Sequence, residues 1–317
     1  MSRLHLKNTL ARLLVPLGLA AVFSLPARAS DEAVAWLQKM GDALRQENYD
    51  GIFSYMRGST YETIRIVHRM EDGVEKERLF NLNGEVRELY REDDEIICLH
   101  PESDEIDPDH TVQIGPFTPA FSERVLATQD LYRLAMHGTD RIAGREAVKL
   151  SISPSFNDRY GYRLWLDAET GLMLQSHLVE RGRVREIFQF SSLKVGSEIE
   201  ATALASAMGS DTSTHRLTLD FTTGSEKPVW RVRWLPDGFR PVRQQGNRLH
   251  FSDGVATLSV FVEGAETPAL PEMATTVGGT VVITRRFKPS GSQITVVGEV
   301  PVQTARKVAE SVEPVIY

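Results

Sequence analysis

Turn signals recur along this chain with little between them but short alternating runs, and that spacing decides the fold class. Glu71-Asp72-Gly73 separates Tyr61–Met70 from Val74–Leu82, and Glu180-Arg181-Gly182 separates Gly171–Val179 from Arg183–Val195. Connections this short join antiparallel neighbours only, because a parallel pair needs a crossover of a dozen residues or more. Gly51–Met56, Val86–Arg91, Glu95–Leu99, Arg141–Ser153 (interrupted at Ala143-Gly144) and Tyr160–Asp167 complete a long antiparallel meander. Before it, Ser30-Asp31 can cap a helix whose Ala33, Trp36, Leu37, Met40 and Leu44 share one face. The irregular stretch Pro101–Met136 is expected to hold short helices at Ala120–Ala127 and Asp130–Ala135. A sheet of this kind has one apolar face to cover, and these helices are the cover at hand.

Residues 197–228, loose in Ser, Thr, Ala and Gly, read as a linker. A second, smaller module then runs over 229–317. Trp230, Val232 and Trp234 point to one side of its first strand, and Arg231 and Arg233 to the other. Strands are expected near Arg240–Phe251, Ala256–Glu263, Thr280–Phe287 and Gln293–Val300, with a closing helix over Val302–Val312. The fold class is therefore α+β, with a meander domain at 30–196.

The first 29 residues read as an export signal. Arg3, Lys7 and Arg12 precede an apolar run from Leu13 to Leu25, and Ala27 and Ala29 supply the small residues a signal peptidase reads. That run is short for a hydrocarbon core, which needs about 20 residues. Cleavage after Ala29 and a soluble periplasmic protein are expected. Residues 30–210 carry 20 cations against 32 acids, and residues 211–317 carry 12 against 11. Neither module offers the cationic footprint that nucleic acid demands.

No phosphate loop, nucleophile elbow or zinc-protease motif occurs. Ser191-Ser-Leu-Lys194 matches S-x-x-K by chance: its companion motifs are missing and it ends a strand. No catalytic residue, metal ligand or cofactor is therefore expected, and the chain does not read as an enzyme. Cys98, His100 and His110 lack ligand spacing. The lone Cys98 reads as a buried small hydrophobe, the alternative being a disulfide between two chains and so a homodimer. Nine acids and no cation between Glu92 and Asp109 read as a solvated loop, since the glycine of an EF-hand is missing.

Two candidate binding surfaces remain. Phe53, Tyr55, Leu79, Trp165, Phe188 and Phe190, with Tyr162, are more than a satellite cluster needs. Ordinary core packing explains most of them, but a curved sheet that fails to close would leave an oily concavity for an acyl chain. Arg231, Arg233, Arg240, Arg243, Arg285 and Arg286 can give the second module a cationic face, which is either merely solvated, as most such faces are, or a site for a lipid phosphate or an acidic partner.

The chain resembles the MucB/RseB family of periplasmic negative regulators of the envelope-stress sigma factor. The resemblance is carried by DGIFSYMRG (50–58), IVHRMEDGVEKERLFNLNG (66–84), YGYRLWLDAETGL (160–172), WRVRWLPDGF (230–239), FSDGVATLSVFVE (251–263) and TVVGEVPVQTARKVAESV (295–312). It implies an unclosed antiparallel β-barrel with helices in its mouth, similar to the lipoprotein carriers LolA and LolB, and a small α+β C-terminal domain. It also implies a partner, the periplasmic domain of a MucA/RseA-type anti-sigma factor, shielded from regulated proteolysis until lipopolysaccharide or another acyl-chain lipid releases it. A lipid or lipoprotein carrier is the alternative. The family has no catalytic residues to carry over.

Overall fold

The computed structural model describes residues 27–84, 86–92, 95–101, 117–208, 212–217, 227–266 and 270–315. Most of the expected export signal, most of the acidic segment 92–109 and His110 lie outside the described residues. The first module opens with α1 (Ala27–Gln46), followed by β1 (Tyr49–Arg57), β2 (Thr60–Glu71), β3 (Val74–Asn81), β4 (Glu88–Glu92) and β5 (Glu95–Pro101). After α2 (Pro119–Ala127) come β6 (Tyr132–Ile142), β7 (Arg145–Pro154), β8 (Gly161–Asp167), β9 (Met173–Glu180) and β10 (Arg183–Val195).

The meander forms as the turns dictate, with one closure they do not reveal. β1 pairs on one side with β2 and on the other with the distant β10, so Phe53 faces both Ile64 and Phe190 across the ladders. Residues 212–217, inside the expected linker, add β11 (Thr212–Leu217) alongside β5. The eleven strands run β11-β5-β4-β3-β2-β1-β10-β9-β8-β7-β6, and the two end strands do not pair with one another, so the barrel stays open. Asp130–Ala135 is not a helix. Tyr132, Leu134 and Met136 lie opposite Pro154, Ile152 and Leu150, and ladder pairing overrides the local preference. The break at Ala143-Gly144 is a tight turn, with both residues at positive φ, 49° and 80°.

α1 and α2 lie in the open mouth. Ala33, Leu37, Met40 and Leu44 of α1 are all buried, at the three- and four-residue spacing of one helix face. They meet Tyr49, Phe53, Ile64, Ile66, Phe188 and Phe190, which are the inward residues of β1, β2 and β10. A Cβ at Gly51 would lie 2.6 Å from the Phe190 ring, so the strand carries a glycine where the aromatic needs the space.

The second module has its own core. β12 (Trp230–Val232) pairs with β19 (Val312–Pro314) in a small ribbon. The main sheet contains β13 (Arg240–Gln245), β14 (Arg248–Ser252), β15 (Thr257–Glu263), β16 (Met273–Val277), β17 (Thr280–Arg286) and β18 (Gln293–Gly298). Its order is β13-β14-β15-β18-β17-β16, and α3 (Val302–Glu310) packs on β17 and β18. The single strand expected over 240–251 is a hairpin, folded at Gly246-Asn247, where Gly246 takes a φ of 53°. β16 and β19 were not expected. β16 is exposed along its length and shows no alternation, and β19 is three residues long.

Phe188 is 2% exposed between Phe53, Phe117 and Phe190. Phe188→Ala is expected to cost about 3–5 kcal/mol, lost transfer energy plus cavity. Urea denaturation of residues 30–317 measures it.

Candidate functional site

Five of the six residues proposed for an acyl chain converge. Phe53, Tyr55, Leu79, Phe188 and Phe190 are all buried on the concave face. Phe53 lies 4.6 Å from Phe188 and 5.7 Å from Phe190, centroid to centroid, the second pair edge-on. Such pairs contribute about 0.5–1.5 kcal/mol each beyond burial. Trp165 stands apart. In β8, Tyr162, Leu164 and Leu166 face inward, so Trp165, an odd number of residues from each, faces outward by the period-two rule. Its indole Nε1 donates to Asp140 Oδ2 at 3.1 Å and its ring lies 4.6 Å from that of His177.

The concavity is occupied by the chain itself. Phe117, just ahead of α2, stacks on Phe188 at 4.9 Å and meets Phe190 edge-on at 5.7 Å. Phe121 of α2 lies edge-on to Tyr162 at 4.9 Å. Sequence reasoning missed Phe117 because it sits outside any periodic run. The four phenylalanines and two helices make a filled cup, and a hydrocarbon tail reaches it only by displacing Phe117 and α2. Cys98 is buried, and burial pushes its thiol pKa up, the reverse of what a reactive thiolate needs.

The six arginines do not form one face. Arg231 binds Glu313 Oε1 through Nε and Nη2 at 2.8 and 2.6 Å, and Arg233 lies 3.7 Å from the same carboxylate. Both border an open groove of about 820 Å³ with Trp234, Phe287 and Pro314. Arg240 and Arg243 lie on the edge strand β13, where they donate to Phe239 O and Gln245 Oε1. Arg285 and Arg286 are on β17, four strand spacings away, about 19 Å. Arg285 Nη1 donates to Ala309 O at 3.1 Å and so satisfies the C-terminal end of α3. Arg286, the next residue along, is exposed on the opposite side of the strand.

A third region, invisible in the sequence, links the modules. Arg159, between β7 and β8, is fully buried in the joint. Its Nη1 donates to Asp253 Oδ2 of the second module at 2.7 Å, its Nη2 to Asp237 O at 2.5 Å, and its Nε to Asp158 Oδ1 at 2.8 Å. The guanidinium lies 5.8 Å from the Tyr132 ring and 5.7 Å from that of Phe239, each from a different module. Burial works to lower its pKa, yet Asp158 and Asp253 outweigh that and hold it above the usual arginine value. Asp253 Oδ1 accepts the Val255 and Ala256 N–H groups, and Tyr132 donates to Oδ2 at 3.2 Å.

Further along, the Tyr160 hydroxyl donates to Val300 O at 2.9 Å and Thr304 Oγ1 donates to Asp158 O at 2.9 Å. The Gly279 N–H donates to Glu186 Oε1 at 2.7 Å, while the Tyr55 hydroxyl donates to Glu186 Oε2. A Cβ at Gly279 would lie 2.2 Å from Leu178, so the turn is held against the first sheet with no space for a side chain.

An open antiparallel cup with helices in its mouth, joined by a buried polar joint to a small α+β domain, defines a two-module α+β protein. The MucB/RseB N-terminal domain matches residues 32–208 and the MucB/RseB C-terminal domain matches residues 224–313. The chain belongs to the MucB/RseB family. It is 33% identical to the sigma factor AlgU regulatory protein MucB of Pseudomonas aeruginosa, covering 93% of this chain and 95% of that one. It is 28% identical to the sigma-E factor regulatory protein RseB of Escherichia coli, over 92% and 94% of the two chains. Among solved structures, the P. aeruginosa MucA/MucB complex superposes with a TM-score of 0.73 at 32% identity, covering 90% of this chain and all of that one. MucB in a second complex, with MucA(peri), gives 0.71 at 31% identity, and a further crystal structure of MucB gives 0.65 at 32%. These cover 90% of this chain, and 100% and 99% of the respective MucB chains. The relatives are regulatory binding proteins.

Arg159→Ala leaves Asp253 buried without its cation and is expected to destabilise the chain by about 3–5 kcal/mol. In calorimetry the variant should unfold in two separated transitions where the parent shows coupled ones. Arg159→Lys should fail to restore coupling, because an ammonium's three donors sit on one nitrogen and cannot span acceptors that the guanidinium serves from three separate nitrogens.

Proposed function

We propose that this chain is exported to the periplasm, where it binds the periplasmic domain of a MucA/RseA-type anti-sigma factor. Bound there, it shields that domain from regulated proteolysis and so keeps the envelope-stress sigma factor inactive. The single observation that carries the reading is the superposition on MucB taken from its complexes with MucA, over 90% of the chain. The joint supports it further. A clamp that engages its partner with both modules needs them held in a fixed relation, and the Arg159, Tyr160 and Glu186 bonds hold them so. The exposed Arg231 and Arg233, bordering the groove, are the cations best placed for an acidic partner.

An acyl chain, as lipopolysaccharide or another lipid, acts as the antagonist. Ten buried methylenes at ~0.8 kcal/mol offer about 8 kcal/mol gross, from which the lost packing of Phe117 and Phe121 is deducted. Only a difference in lipid affinity between free and partner-bound protein releases the partner. The geometry offers a route for that difference. Phe121 rests on Tyr162, and two residues away Tyr160 reaches across the joint to Val300. A tail wedged under α2 pushes on the strand that carries the joint. A simple carrier needs no such locked second module.

The immobilised mature chain should retain the periplasmic segment of a MucA-type anti-sigma factor in a pull-down, and added lipopolysaccharide should elute it. The double variant Arg231→Glu/Arg233→Glu should weaken retention tenfold or more. Failure of the parent protein to retain the segment overturns the reading.

A further inference from the structure

Two turns of the second module grip the end of α2, the helix that closes the cup. The Asp253-Gly254-Val255 turn, between β14 and β15, sits against its last turn. A Cβ at Gly254 would lie 3.8 Å from Arg124 Cβ and 3.7 Å from Thr128 Cγ2, which is ordinary van der Waals contact. Val255 packs on the hydrophobic core of the first module, the cluster that holds Phe117, Phe121 and Val125. Further along, the Asp237-Gly238-Phe239 turn presses on the residues between α2 and β6, where a Cβ at Gly238 would clash with the Leu131 side chain. Asp253 both shapes the first turn and ties it down. Its Oδ1 accepts the Val255 and Ala256 N–H groups, while its Oδ2 accepts Arg159 Nη1 and the hydroxyl of Tyr132, the first residue of β6.

Apart from its packing against α1 and the cup, α2 has little else to hold it. Nine residues are too few for a helix to persist alone. Thr118 makes no side-chain cap at its N-terminus, and the Arg45–Glu123 bond to α1 is largely exposed.

We propose that the second module is the catch on the cup: the Asp253–Val255 turn holds α2, and with it Phe117, closed, and an apolar ligand enters when that turn lifts. This rests on the reading of the cup as an acyl-chain site and names what regulates access to it. The coupling is steric and direct. Arg124, Thr128, Leu131 and Tyr132 are covered by the second module, so α2 leaves the cup only if the covering turns move. A ligand that displaces α2 pushes the turn off, and a shift of the second module that lifts the turn frees α2. Linkage makes the two effects equal in free energy.

The test uses residues 30–317 in a Cys98→Ala background. Arg124→Cys with Gly254→Cys places two Cβ atoms at the 3.8 Å that a disulfide spans. Gly254 holds a φ of 98°, and the reduced double variant, which carries the same strain, is the reference. Hydrogen exchange of α2 and uptake of N-phenyl-1-naphthylamine, an apolar fluorophore, are compared with the bridge formed and reduced. Bridging should slow both about tenfold or more, and reduction should restore them. Val255→Asp should speed both by a similar factor, with β14 and β15 still protected; if that variant fails to fold, the bridge decides alone. Probe that enters the bridged protein as fast as the reduced one overturns the catch, and so does α2 exchange that is the same in both. Val255→Asp with α2 as protected as in the parent overturns it too. Exchange that follows the bridge while no form admits the probe upholds the catch and counts against the cup as an acyl-chain site.

Discussion

One guanidinium decides how the two halves of this protein relate. Taking a cation out of water costs several kcal/mol even after the protein relaxes, and mutual attraction in the interior offsets this only when every donor finds an acceptor. Arg159 meets that condition with acceptors from both modules: Asp158 on its own, Asp253 and Asp237 O on the other. Separation of the modules therefore exposes or orphans charges on both sides at once. A flat apolar contact between modules tolerates sliding. A forked donor between two carboxylates and a carbonyl, flanked by two rings, has one geometry. Affinity is a poor reason to bury such a group, whereas a fixed orientation is a good one.

The cup poses the opposite problem, because the side chains that make a good apolar site also make a good core. Phe53, Phe188 and Phe190 are closed over by Phe117, and α1 and α2 seal the rest. The closure comes from elements of unequal strength. α1 contributes a full buried face over about three turns, while α2 is nine residues long and contributes mainly Phe121 and Val125. The Arg45–Glu123 pair that ties α2 to α1 is largely exposed, which limits it to a fraction of a kcal/mol. If the cup opens, α2 and Phe117 are the part that yields.

What the sequence made legible follows the range of the interactions involved. Turns and alternation are local, and β2, β3 and β8 to β10 lie where Glu71-Asp72-Gly73 and Glu180-Arg181-Gly182 put them. The placement of Trp165 was legible too, through strand parity against Tyr162, and counting aromatics without counting parity put it on the wrong face. The arginine face failed for a related reason. Residues near in sequence, such as Arg285 and Arg286, point to opposite sides of a strand, and β13 and β17 are separated by three intervening strands. β16 and β11 carry no apolar alternation, so only their ladders reveal them, although Gly278-Gly279 marks the turn that ends β16. Arg159 was beyond reach: it lies in a short connection, and its main partner is 94 residues away.

Cup and joint share a strand, and that makes the architecture more than two domains on a string. Along β8 and the residue before it, Tyr160, Tyr162, Leu164 and Leu166 lie on one side, so the residue bonded to Val300 across the joint and the residues lining the cup belong to one row. Likewise Tyr55, two residues beyond Phe53 on β1, lines the cup with its ring and donates to the joint carboxylate Glu186 with its hydroxyl. Phe53 is thus two residues from Tyr55, and Tyr162, on which Phe121 rests, is two residues from Tyr160. A partner that holds the second module in place resists movement of the same rows. Reciprocity follows from thermodynamics alone: whatever free energy an occupant of the cup spends loosening the joint, a partner spanning the joint spends closing the cup.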